Sequence, residues 1–463
     1  MAVRMSDEYD VVVIGAGTGG YACALRAAQL GKRVALVERD ERLGGTCLLR
    51  GCIPTKALLQ SAAVLDTVRR SEEWGVKATG ELNWDAVKAF ETRVVDKLVS
   101  GVTGLVKARK IDVVQGTGKL VVPGPAVDVG GRTLRASDVV LATGSAPKLI
   151  PGLSITDRII TSDQALWYPT VPSFAVVIGA GAVGLEFASL YRSFGADVTL
   201  LEALPRLAPL EDEDVSKEIG RAFRRRGIEA HADAKVRGVD EVDAGVKVVF
   251  EAAGETRAVT AEVCLVAVGR GPVTEGLGLS EAGVELDRGF VKADGQLRTS
   301  VPHVWVVGDV AATPLQLAHV AFTEGMAVAE RIGGIDVPDI DYEGIPRVTY
   351  CTPEIASVGL TEAQAIERGY KVEIEKLNFQ AVGKANIVGE GGIVKLVAEK
   401  GGSVLGVHMV GPHVTDLVSE AMLITNWEAV PAEVAALVHP HPTLSEGIGE
   451  AHPALAGKPL HTE

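Results

Sequence analysis

The 463-residue sequence is poor in cysteine, in aromatic side chains and in positive charge, and it has no long apolar run. Its five cysteines are an odd and sparse set, which excludes the dense, even disulfide framework of a small secreted scaffold. With 46 Lys and Arg against 60 Asp and Glu, the net charge of −14 disfavours nucleic acid as a partner. No stretch of about 18 uninterrupted apolar residues offers a membrane span.

The first ten residues, MAVRMSDEYD, lack the layout of a signal peptide. We therefore expect a cytoplasmic protein that contacts neither membrane nor nucleic acid. Hydrophobic residues make up 47% of the chain, enough to form packed cores, and the length predicts about three domains.

Two segments of the chain repeat one pattern, in which a buried strand is followed by a glycine turn, a helix and a second strand that ends in an acid. The matching positions are Gly15 and Gly179, Gly17 and Gly181, Gly20 and Gly184, and Glu38 and Glu202, all 164 residues apart. In such a unit the glycines allow a tight turn, close approach to a pyrophosphate and close helix packing, while the acid accepts ribose hydroxyls. We therefore expect two bound dinucleotides.

The acid of the second copy, Glu202, bears on which nicotinamide dinucleotide binds. A carboxylate there favours a free ribose hydroxyl and repels a phosphate, which predicts NAD over NADP. Two other interpretations stay open: Glu202 as a solvated strand end, and a contribution from Arg206 close by.

The stretch GGTCLLRGCIPTKALL carries Cys47 and Cys52, with four residues between them. A disulfide needs Cα atoms within about 7 Å, so the backbone must bend between them, which Gly51 favours. Pro54 suits the first turn of a helix from Thr55 to about Val68, whose positive end would stabilise a thiolate. A zinc site would need two further ligands, which no CxxC or His-rich motif supplies, and two unconnected buried thiols remain an alternative.

The C-terminal segment VHPHPTLSEGIGE places His441 five residues before Glu446. Thiol chemistry near neutral pH benefits from a histidine base, and a carboxylate can orient the imidazole and stabilise its cation. A histidine between prolines is also a common structural turn residue, so both interpretations stand on these residues alone.

Taken together, these motifs resemble the flavin-dependent pyridine nucleotide-disulfide oxidoreductases, and among them the members that oxidise dihydrolipoamide. The resemblance covers nearly the whole chain, because GGTCLLRGC, ATG at 142–144, VGD at 307–309 and HPHPTLSE follow in the family's order around the two glycine motifs. It departs from the family at Leu49 and Arg50, where an Asn-Val pair is frequent.

The resemblance implies a role for each site residue. Cys47 would exchange disulfides with the substrate, and Cys52 would lie against the flavin. His441 would be the base and Glu446 its partner, while Lys56 and Glu186 would form an ion pair beside the flavin. The remaining FAD and NAD contacts that it implies are Gly45, Thr46, Lys56, Thr143, Gly144, Gly269, Asp309, which would hold the ribityl chain, and Ala318.

We expect an α/β fold with two Rossmann-like dinucleotide-binding domains and a C-terminal α+β dimerisation domain. The expected segments are 1–150 and 275–344 for FAD, 151–274 for NAD and 345–463 for the interface of a homodimer. No metal is expected.

The resemblance implies an enzyme that oxidises dihydrolipoamide to lipoamide through a Cys47–Cys52 disulfide and FAD, and reduces NAD⁺ to NADH. Its partners would be lipoyl groups on the acyltransferase of a 2-oxo acid dehydrogenase complex or on a glycine cleavage carrier protein. The alternatives are a sister disulfide reductase, although glutathione reductases carry arginines for NADPH where Glu202 stands, and a noncatalytic redox-sensing flavoprotein.

Overall fold

The computed structural model describes residues 7–122 and 124–460. The expectation about a signal peptide rests partly on residues 1–6, which lie outside the described residues. The chain divides into two compact units. The first comprises Met1–Leu58, Asp85–Lys148 and Arg270–Tyr342, and the second comprises Leu59–Trp84, Leu149–Gly269 and Glu343–Glu463. The second unit thus takes a short piece from within the expected first segment; the expected domain boundaries stay predictions.

Helices and strands alternate along most of the chain. The N-terminal third contains β1 (Glu8–Ile14), α1 (Thr18–Gln29), β2 (Val34–Glu38), α2 (Gly45–Arg50), α3 (Cys52–Arg70), α4 (Trp84–Ala108), β3 (Asp112–Gln115), β4 (Gly118–Val121), β5 (Ala126–Val129), β6 (Arg132–Leu141) and β7 (Ser145–Pro147). The middle contains β8 (Ile159–Thr161), α5 (Ser162–Ala165), β9 (Phe174–Ile178), α6 (Ala182–Phe194), β10 (Asp197–Leu201), α7 (Glu213–Arg225), β11 (Ile228–His231), β12 (Lys235–Val242), β13 (Gly245–Ala252), β14 (Glu255–Ala261) and β15 (Val263–Val266).

The C-terminal part contains β16 (Arg270–Pro272), α8 (Leu279–Ala282), β17 (Leu286–Asp287), β18 (Phe290–Val291), β19 (Val304–Val306), α9 (Ala318–Ile332), β20 (Arg347–Thr349), β21 (Glu354–Gly359), α10 (Glu362–Glu367), β22 (Val372–Asn378), α11 (Gly383–Val388), β23 (Ile393–Glu399), β24 (Val404–Gly411), α12 (Val414–Asn426), α13 (Pro431–Val434) and α14 (Glu446–Leu455). Among the described residues, no helix combines the length and apolar character that crossing a bilayer requires.

The first unit is built on a parallel sheet with the order β3-β2-β1-β6, in which β19 also pairs with β6. Successive residues of β1 face opposite sides: Val11 and Val13 pack in one hydrophobic cluster with α1, α4 and α9, and Val12 and Ile14 in another. Because both faces are covered, the strand is a continuous apolar run, as expected for a parallel sheet. The first half of β6 joins β5 and β4 in an antiparallel ribbon.

The second unit repeats this plan. Its parallel sheet has the order β11-β10-β9-β15-β8, and an antiparallel ribbon of β12, β13 and β14 lies between β11 and β15 in the chain. Its C-terminal part adds an antiparallel sheet with the order β20-β21-β24-β23-β22, against which α12 and α14 pack. This arrangement confirms the expected fold class of two dinucleotide-binding folds and a C-terminal α+β region.

Helix α4 packs with a face other than the one that its sequence predicts. The helical spacing of its apolar residues predicts a stripe of Val87, Phe90, Val94, Leu98, Val102 and Leu105. Of this stripe, Leu98 and Leu105 are 39% and 51% exposed. Val95, Val99 and Val106 are buried instead. The sequence contains two overlapping apolar stripes at helical spacing, and only packing against the rest of the unit selects one of them.

A buried histidine makes the stability of the C-terminal region depend on pH. His452 of α14 is fully buried, its Nδ1 lies 2.7 Å from the carbonyl oxygen of Ile448, and burial lowers its pKa from 6.5 to about 4. Between about pH 6.5 and 4, His452 is therefore protonated in the unfolded chain but not in the folded chain. This contribution to stability is complete above about pH 6.5 and is lost as the pH falls towards 4, by up to about 3 kcal/mol.

We expect the thermal unfolding midpoint of the wild type to fall more steeply between pH 6.5 and 4 than that of His452→Asn, whose amide retains a donor for Ile448. His303→Asn is the control, because the His303 side chain is 66% exposed. Equal slopes for the wild type and His452→Asn would contradict the assignment.

Candidate active site

The two cysteines meet because the chain breaks between two helices. Helix α2 ends at Arg50, Gly51 takes φ −149° and ψ −113°, and α3 begins at Cys52, three residues before the expected start. A Cβ on Gly51 would lie 2.9 Å from the carbonyl oxygen of Thr46, so a larger residue would push the helices apart. Both cysteines are reduced in the structure, and no disulfide joins them.

The sulfur atoms of Cys47 and Cys52 interact directly. A hydrogen bond with Cys52, followed by burial, raises the pKa of Cys47 well above its usual value, whereas the positive charge of Lys56 lowers it. The reduced pair therefore retains a proton in the hydrogen bond between its sulfurs, while Lys56 favours negative charge on the pair.

The cysteine pair is supported by α4. Leu48, Val95 and Val99 form a small hydrophobic cluster, against which Cys47 and Ile53 pack. The residues that depart from the family pattern also have partners: Leu49 packs in the same cluster, and Arg50 forms an ion pair with Asp40. The sequence assigned no chemistry to α4, and no local motif marks its supporting role.

The other three cysteines are poor candidates for thiol chemistry. Cys23 and Cys264 are fully buried in hydrophobic cores, and burial raises the pKa of each to about 12. Cys351 is likewise buried, and burial raises its pKa. These three cysteines differ from Cys47 and Cys52 in being fully buried, whereas the interacting pair is partly exposed.

The glycine turns of the repeat have matching geometry. Gly15 and Gly179 both take φ +103°, and a Cβ on either would lie 2.4 Å from a backbone oxygen. A Cβ on Gly20 or Gly184 would lie 1.8 Å from the carbonyl oxygen of the first glycine in its own turn. These glycines are required by the close packing of strand, turn and helix.

The middle glycine of each turn is different. A Cβ on Gly17 would come no closer than 3.9 Å to another atom, and one on Gly181 would meet nothing within 4 Å. Each precedes a helix, α1 or α6, whose N-terminus has no side-chain cap. Open space in front of uncapped amide groups fits a pyrophosphate, so the residues present suit a dinucleotide in both units.

The acids that end β2 and β10 bind back to their glycine turns. Glu38 accepts a hydrogen bond from the amide of Ala16 at 2.7 Å, and Glu202 accepts one from Ala180 at 2.6 Å. A carboxylate oxygen has more than one acceptor site, so both acids can also receive a ribose hydroxyl. Glu202 is only 7% exposed, which argues against a merely solvated strand end.

A polar network in the first unit surrounds Asp309. Ser145 donates to Asp309 Oδ2 at 2.6 Å, and Arg270 Nε donates to the hydroxyl of Ser145 at 2.7 Å. Arg270 also reaches the hydroxyl of Thr46 at 3.4 Å. Sequence reasoning missed Ser145 and Arg270, although both stand next to the expected positions Gly144 and Gly269.

Other expected cofactor positions lie at turns and helix starts. Gly144 and Gly269 take φ +70° and +105°. Thr143 donates to the carbonyl oxygen of Val273 at 2.7 Å, Gly45 is the first residue of α2 and Ala318 the first of α9. In the second unit, Glu186 is buried on α6 and accepts from the amide of Tyr350 at 2.9 Å.

His441 and Glu446 form the expected pair. His441 Nδ1 lies 2.7 Å from Glu446 Oε1, and the amide of Thr443 donates to Oε2 at the same distance. Burial alone would raise the pKa of Glu446, but the hydrogen bonds from Thr443 and His441 outweigh it and lower that pKa. The carboxylate therefore stays ionised and can support an imidazolium, while the His441 side chain remains 75% exposed.

A second histidine pair was not expected. His439 Nε2 lies 2.6 Å from Glu420 Oε1, and the His439 side chain is only 14% exposed. His439 is thus turned inward and held, whereas His441 is free to meet a reactant. The two histidines of one motif are therefore distinguished by their exposure.

Known proteins resemble the chain over nearly its full length. Residues 9–325 match the family model of the pyridine nucleotide-disulphide oxidoreductases, and residues 345–452 match the dimerisation domain of that family. A dihydrolipoyl dehydrogenase of Bacillus subtilis is 42% identical over 99% of this chain and 100% of its own. Those of Zymomonas mobilis and Thermus scotoductus are each 40% identical, and cover 99% and 98% of this chain and 100% and 98% of their own.

Two solved structures share the fold. LpdA from Mycobacterium tuberculosis superposes with a TM-score of 0.88 at 25% identity, covering 96% of this chain and 99% of its own. The HOCl-induced flavoprotein disulfide reductase RclA from Escherichia coli superposes with a TM-score of 0.86 at 25% identity, over the same shares of the two chains.

The glycine geometry predicts opposite outcomes for two neighbouring substitutions. Gly181→Ala places its Cβ in open space and should leave the unfolding midpoint unchanged while weakening dinucleotide binding. Gly184→Ala places its Cβ 1.8 Å from the oxygen of Gly179 and should cost at least about 1–3 kcal/mol of stability. Thermal unfolding and nucleotide titration of both variants separate the effects; equal destabilisation by the two would contradict this division of roles.

Proposed function

This chain belongs to the pyridine nucleotide-disulphide oxidoreductase family, and we propose that it is the member that oxidises dihydrolipoyl groups with NAD⁺. The observation that carries the proposal is the hydrogen-bonded pair of Cys47 and Cys52 in the unit that holds the first dinucleotide turn. Full-length relatives at about 40% identity that are dihydrolipoyl dehydrogenases support this choice of substrate.

The two dinucleotide turns take different cofactors. FAD belongs to the first unit, which contains the cysteine pair, the turn at Gly15–Gly20 and the polar network around Asp309. NAD belongs to the turn at Gly179–Gly184, because the carboxylate of Glu202 accepts ribose hydroxyls and repels the phosphate of NADP. Arg206 does not oppose this assignment, since it donates to the carbonyl oxygen of Pro209 at 3.1 Å within its own loop.

The thiol chemistry proceeds by two exchanges. A thiolate of the dihydrolipoyl group attacks the sulfur of Cys47, which breaks the Cys47–Cys52 disulfide and leaves Cys52 as the thiolate. The second lipoyl thiolate then displaces Cys47, so the lipoyl disulfide forms and Cys47 takes up a proton. Bound FAD supplies the redox chemistry that connects the reduced cysteine pair with NAD⁺.

The structure of the reduced pair fits these roles. Because its hydrogen bond with Cys52 and burial raise the pKa of Cys47, the reduced pair retains the proton that is taken up in the second exchange. Lys56 lies one turn further along α3 and favours negative charge on the pair.

His441 is the base that removes the protons of the dihydrolipoyl group. Glu446 holds Nδ1 of the imidazole, so Nε2 is the nitrogen that meets the substrate. In the proposed homodimer, His441 of one protomer serves the cysteine pair of the other. The match of residues 345–452 to a dimerisation domain and the exposure of His441 support this arrangement.

The partner is a protein that carries the lipoyl group, either the acyltransferase core of a 2-oxo acid dehydrogenase complex or a glycine cleavage carrier. A lipoyl group on a long flexible arm can reach a cysteine pair and leave again between cycles.

The function is tested by the products that the purified flavoprotein forms. We expect NADH from dihydrolipoamide and NAD⁺, and far slower turnover when glutathione replaces the thiol or NADP⁺ replaces NAD⁺. Faster turnover with glutathione and NADP⁺ would assign the chain to another reductase, and absence of turnover with any thiol would favour a redox sensor.

In the same assay, Cys47→Ser and Cys52→Ser should each lower NADH formation on the order of 1000-fold or more, because either change leaves one sulfur without an exchange partner. Cys264→Ala is the matched control, since Cys264 is buried in the hydrophobic core of the second unit. Retention of the FAD absorbance shows that a variant is folded. Activity retained in either serine variant would remove that sulfur from the mechanism.

His441→Gln should lower turnover about 100- to 10,000-fold, because proton transfer from the substrate thiol loses its base. His439→Gln changes the neighbouring histidine, which is held by Glu420, and should cost less than about tenfold. Steady-state rates for both variants over a range of pH provide the measurement. Undiminished turnover in His441→Gln, or a larger loss in His439→Gln, would overturn the assignment of the base.

A further inference from the structure

One lysine of the second unit is completely buried and has no role in the proposed reaction. Lys395 of β23 is 1% exposed, and its Nζ lies 2.9 Å from Asp212, 2.9 Å from Asp214 and 2.6 Å from Glu362. Burial alone would lower the pKa of Lys395, but the hydrogen bonds to the three carboxylates outweigh it and raise that pKa. Lys395 is therefore a permanent cation at the centre of three acids.

Asp212 joins this cation to the starts of two helices. Its Oδ1 accepts from the amide of Asp214 at 2.9 Å and so caps α7, while its Oδ2 accepts from the amide of Glu362 at 3.2 Å, in the first turn of α10. We call Lys395, Asp212, Asp214 and Glu362 the ionic latch. It fastens the N-terminus of α7, which follows the second dinucleotide turn in the chain, to the C-terminal sheet through β23.

A chain of hydrogen bonds leads from α7 to that dinucleotide turn. Ser216, in the first turn of α7, donates to the carbonyl oxygen of Ala208 at 3.3 Å. The amide of Ala208 donates to the carbonyl oxygen of Ala180 at 3.0 Å, and the amide of Ala180 donates to Glu202 at 2.6 Å. Ala180 lies between Gly179 and Gly181, so its carbonyl group is held by the segment that the latch fastens, and its amide is held by Glu202.

In the first copy of the repeat, a glycine that leads directly into a helix stands where the second copy has Ala208 and the loop to the latch. At the offset of 164 residues, Gly44 occupies the place of Ala208, and its amide donates to the carbonyl oxygen of Ala16 at 2.9 Å. Gly44 takes φ +119° without a Cβ to strain it, and the chain passes directly into α2. Ala208 takes φ +47°, a conformation that an alanine keeps only when its surroundings hold it there.

We propose that Lys395 is a positioning residue for the nicotinamide dinucleotide, acting through Asp212, α7 and Ala208 to hold the glycine turn at Ala180. The inference rests on the proposed function, in which this turn binds NAD. Mutations along a chain of packed contacts of this kind alter binding by about 2- to 30-fold. It also means that the C-terminal sheet, which belongs to the dimerisation domain, takes part in shaping the NAD site.

The test is the affinity of the FAD-loaded enzyme for NADH. Lys395→Met keeps the length of the side chain but removes the charge, and should raise the NADH dissociation constant about tenfold. The KM for dihydrolipoamide and the FAD content should stay within about twofold of wild type, because the effect is confined to the nucleotide half of the second unit. A purely structural role would alter both substrates, or neither.

Lys376→Met is the matched control. Lys376 lies on the neighbouring strand β22 and pairs with Asp214 at 3.2 Å, but its side chain is 50% exposed and its Nζ is paired with no other latch acid. It should leave the NADH dissociation constant unchanged, and an increase equal to that of Lys395→Met would overturn the proposal by showing that any lost charge near α7 has this effect.

Ser216→Ala provides a test that leaves every buried charge in place. It removes only the hydroxyl that binds Ala208, and should raise the NADH dissociation constant about threefold. An unchanged constant in Ser216→Ala overturns the proposed path even if Lys395→Met fails to fold. A wild type that binds NADH without oxidising dihydrolipoamide would refute the proposed substrate and leave the latch supported, whereas a wild type that binds no NADH would refute both.

Discussion

The chemistry of this molecule depends on one break in the backbone, where α2 ends and α3 begins. At Gly51 the chain turns sharply enough to bring Cys52 into hydrogen-bonding contact with Cys47. Neither a continuous helix nor a strand could do this, because five residues rise about 7.5 Å along a helix and about 17 Å along a strand. The same break makes Cys52 the first residue of α3, at the positive end of its helix, and Cys47 packs against a cluster that includes residues of α4.

The duplicated unit shows how one fold serves two tasks. Both copies share a strand, a glycine turn with φ +103° at its first glycine, and an acid that binds back to the turn. The course of the chain differs after the equivalent positions Gly44 and Ala208. After Gly44 the chain enters the helix that carries Cys47, whereas after Ala208 it enters a loop that leads to α7 and the C-terminal sheet. In the first copy, the chain after the turn carries a cysteine of the reactive pair. In the second copy, it connects the turn to α7 and the C-terminal sheet.

Much of this organisation could be predicted from the sequence, because it depends on residues that are close together in the chain. The repeat, the fold class and the membership of the family are confirmed, and the pairing of His441 with Glu446 follows from a spacing of five residues around a helix start. What could not be predicted depends on distant contacts. The stripe predicted for α4 is not the one that is buried, because packing against the rest of the unit selects Val95, Val99 and Val106. Ser145, Arg270 and Lys395 carry no motif, since their partners lie about 30 to 225 positions away.

The residues of the ionic latch carry no sequence motif, yet they orient backbone groups of the second unit. A buried ion pair is a weak source of stability, because apolar side chains of the same volume pack in its place at little or no cost. What the apolar replacement cannot do is direct hydrogen bonds at chosen backbone atoms. Oδ1 of Asp212 accepts hydrogen bonds both from Lys395 and from the first turn of α7. The buried carboxylate that pairs with Lys395 is therefore also the group that orients the helix. The buried charge is thus better explained by the geometry it imposes on the dinucleotide turn than by the stability it contributes.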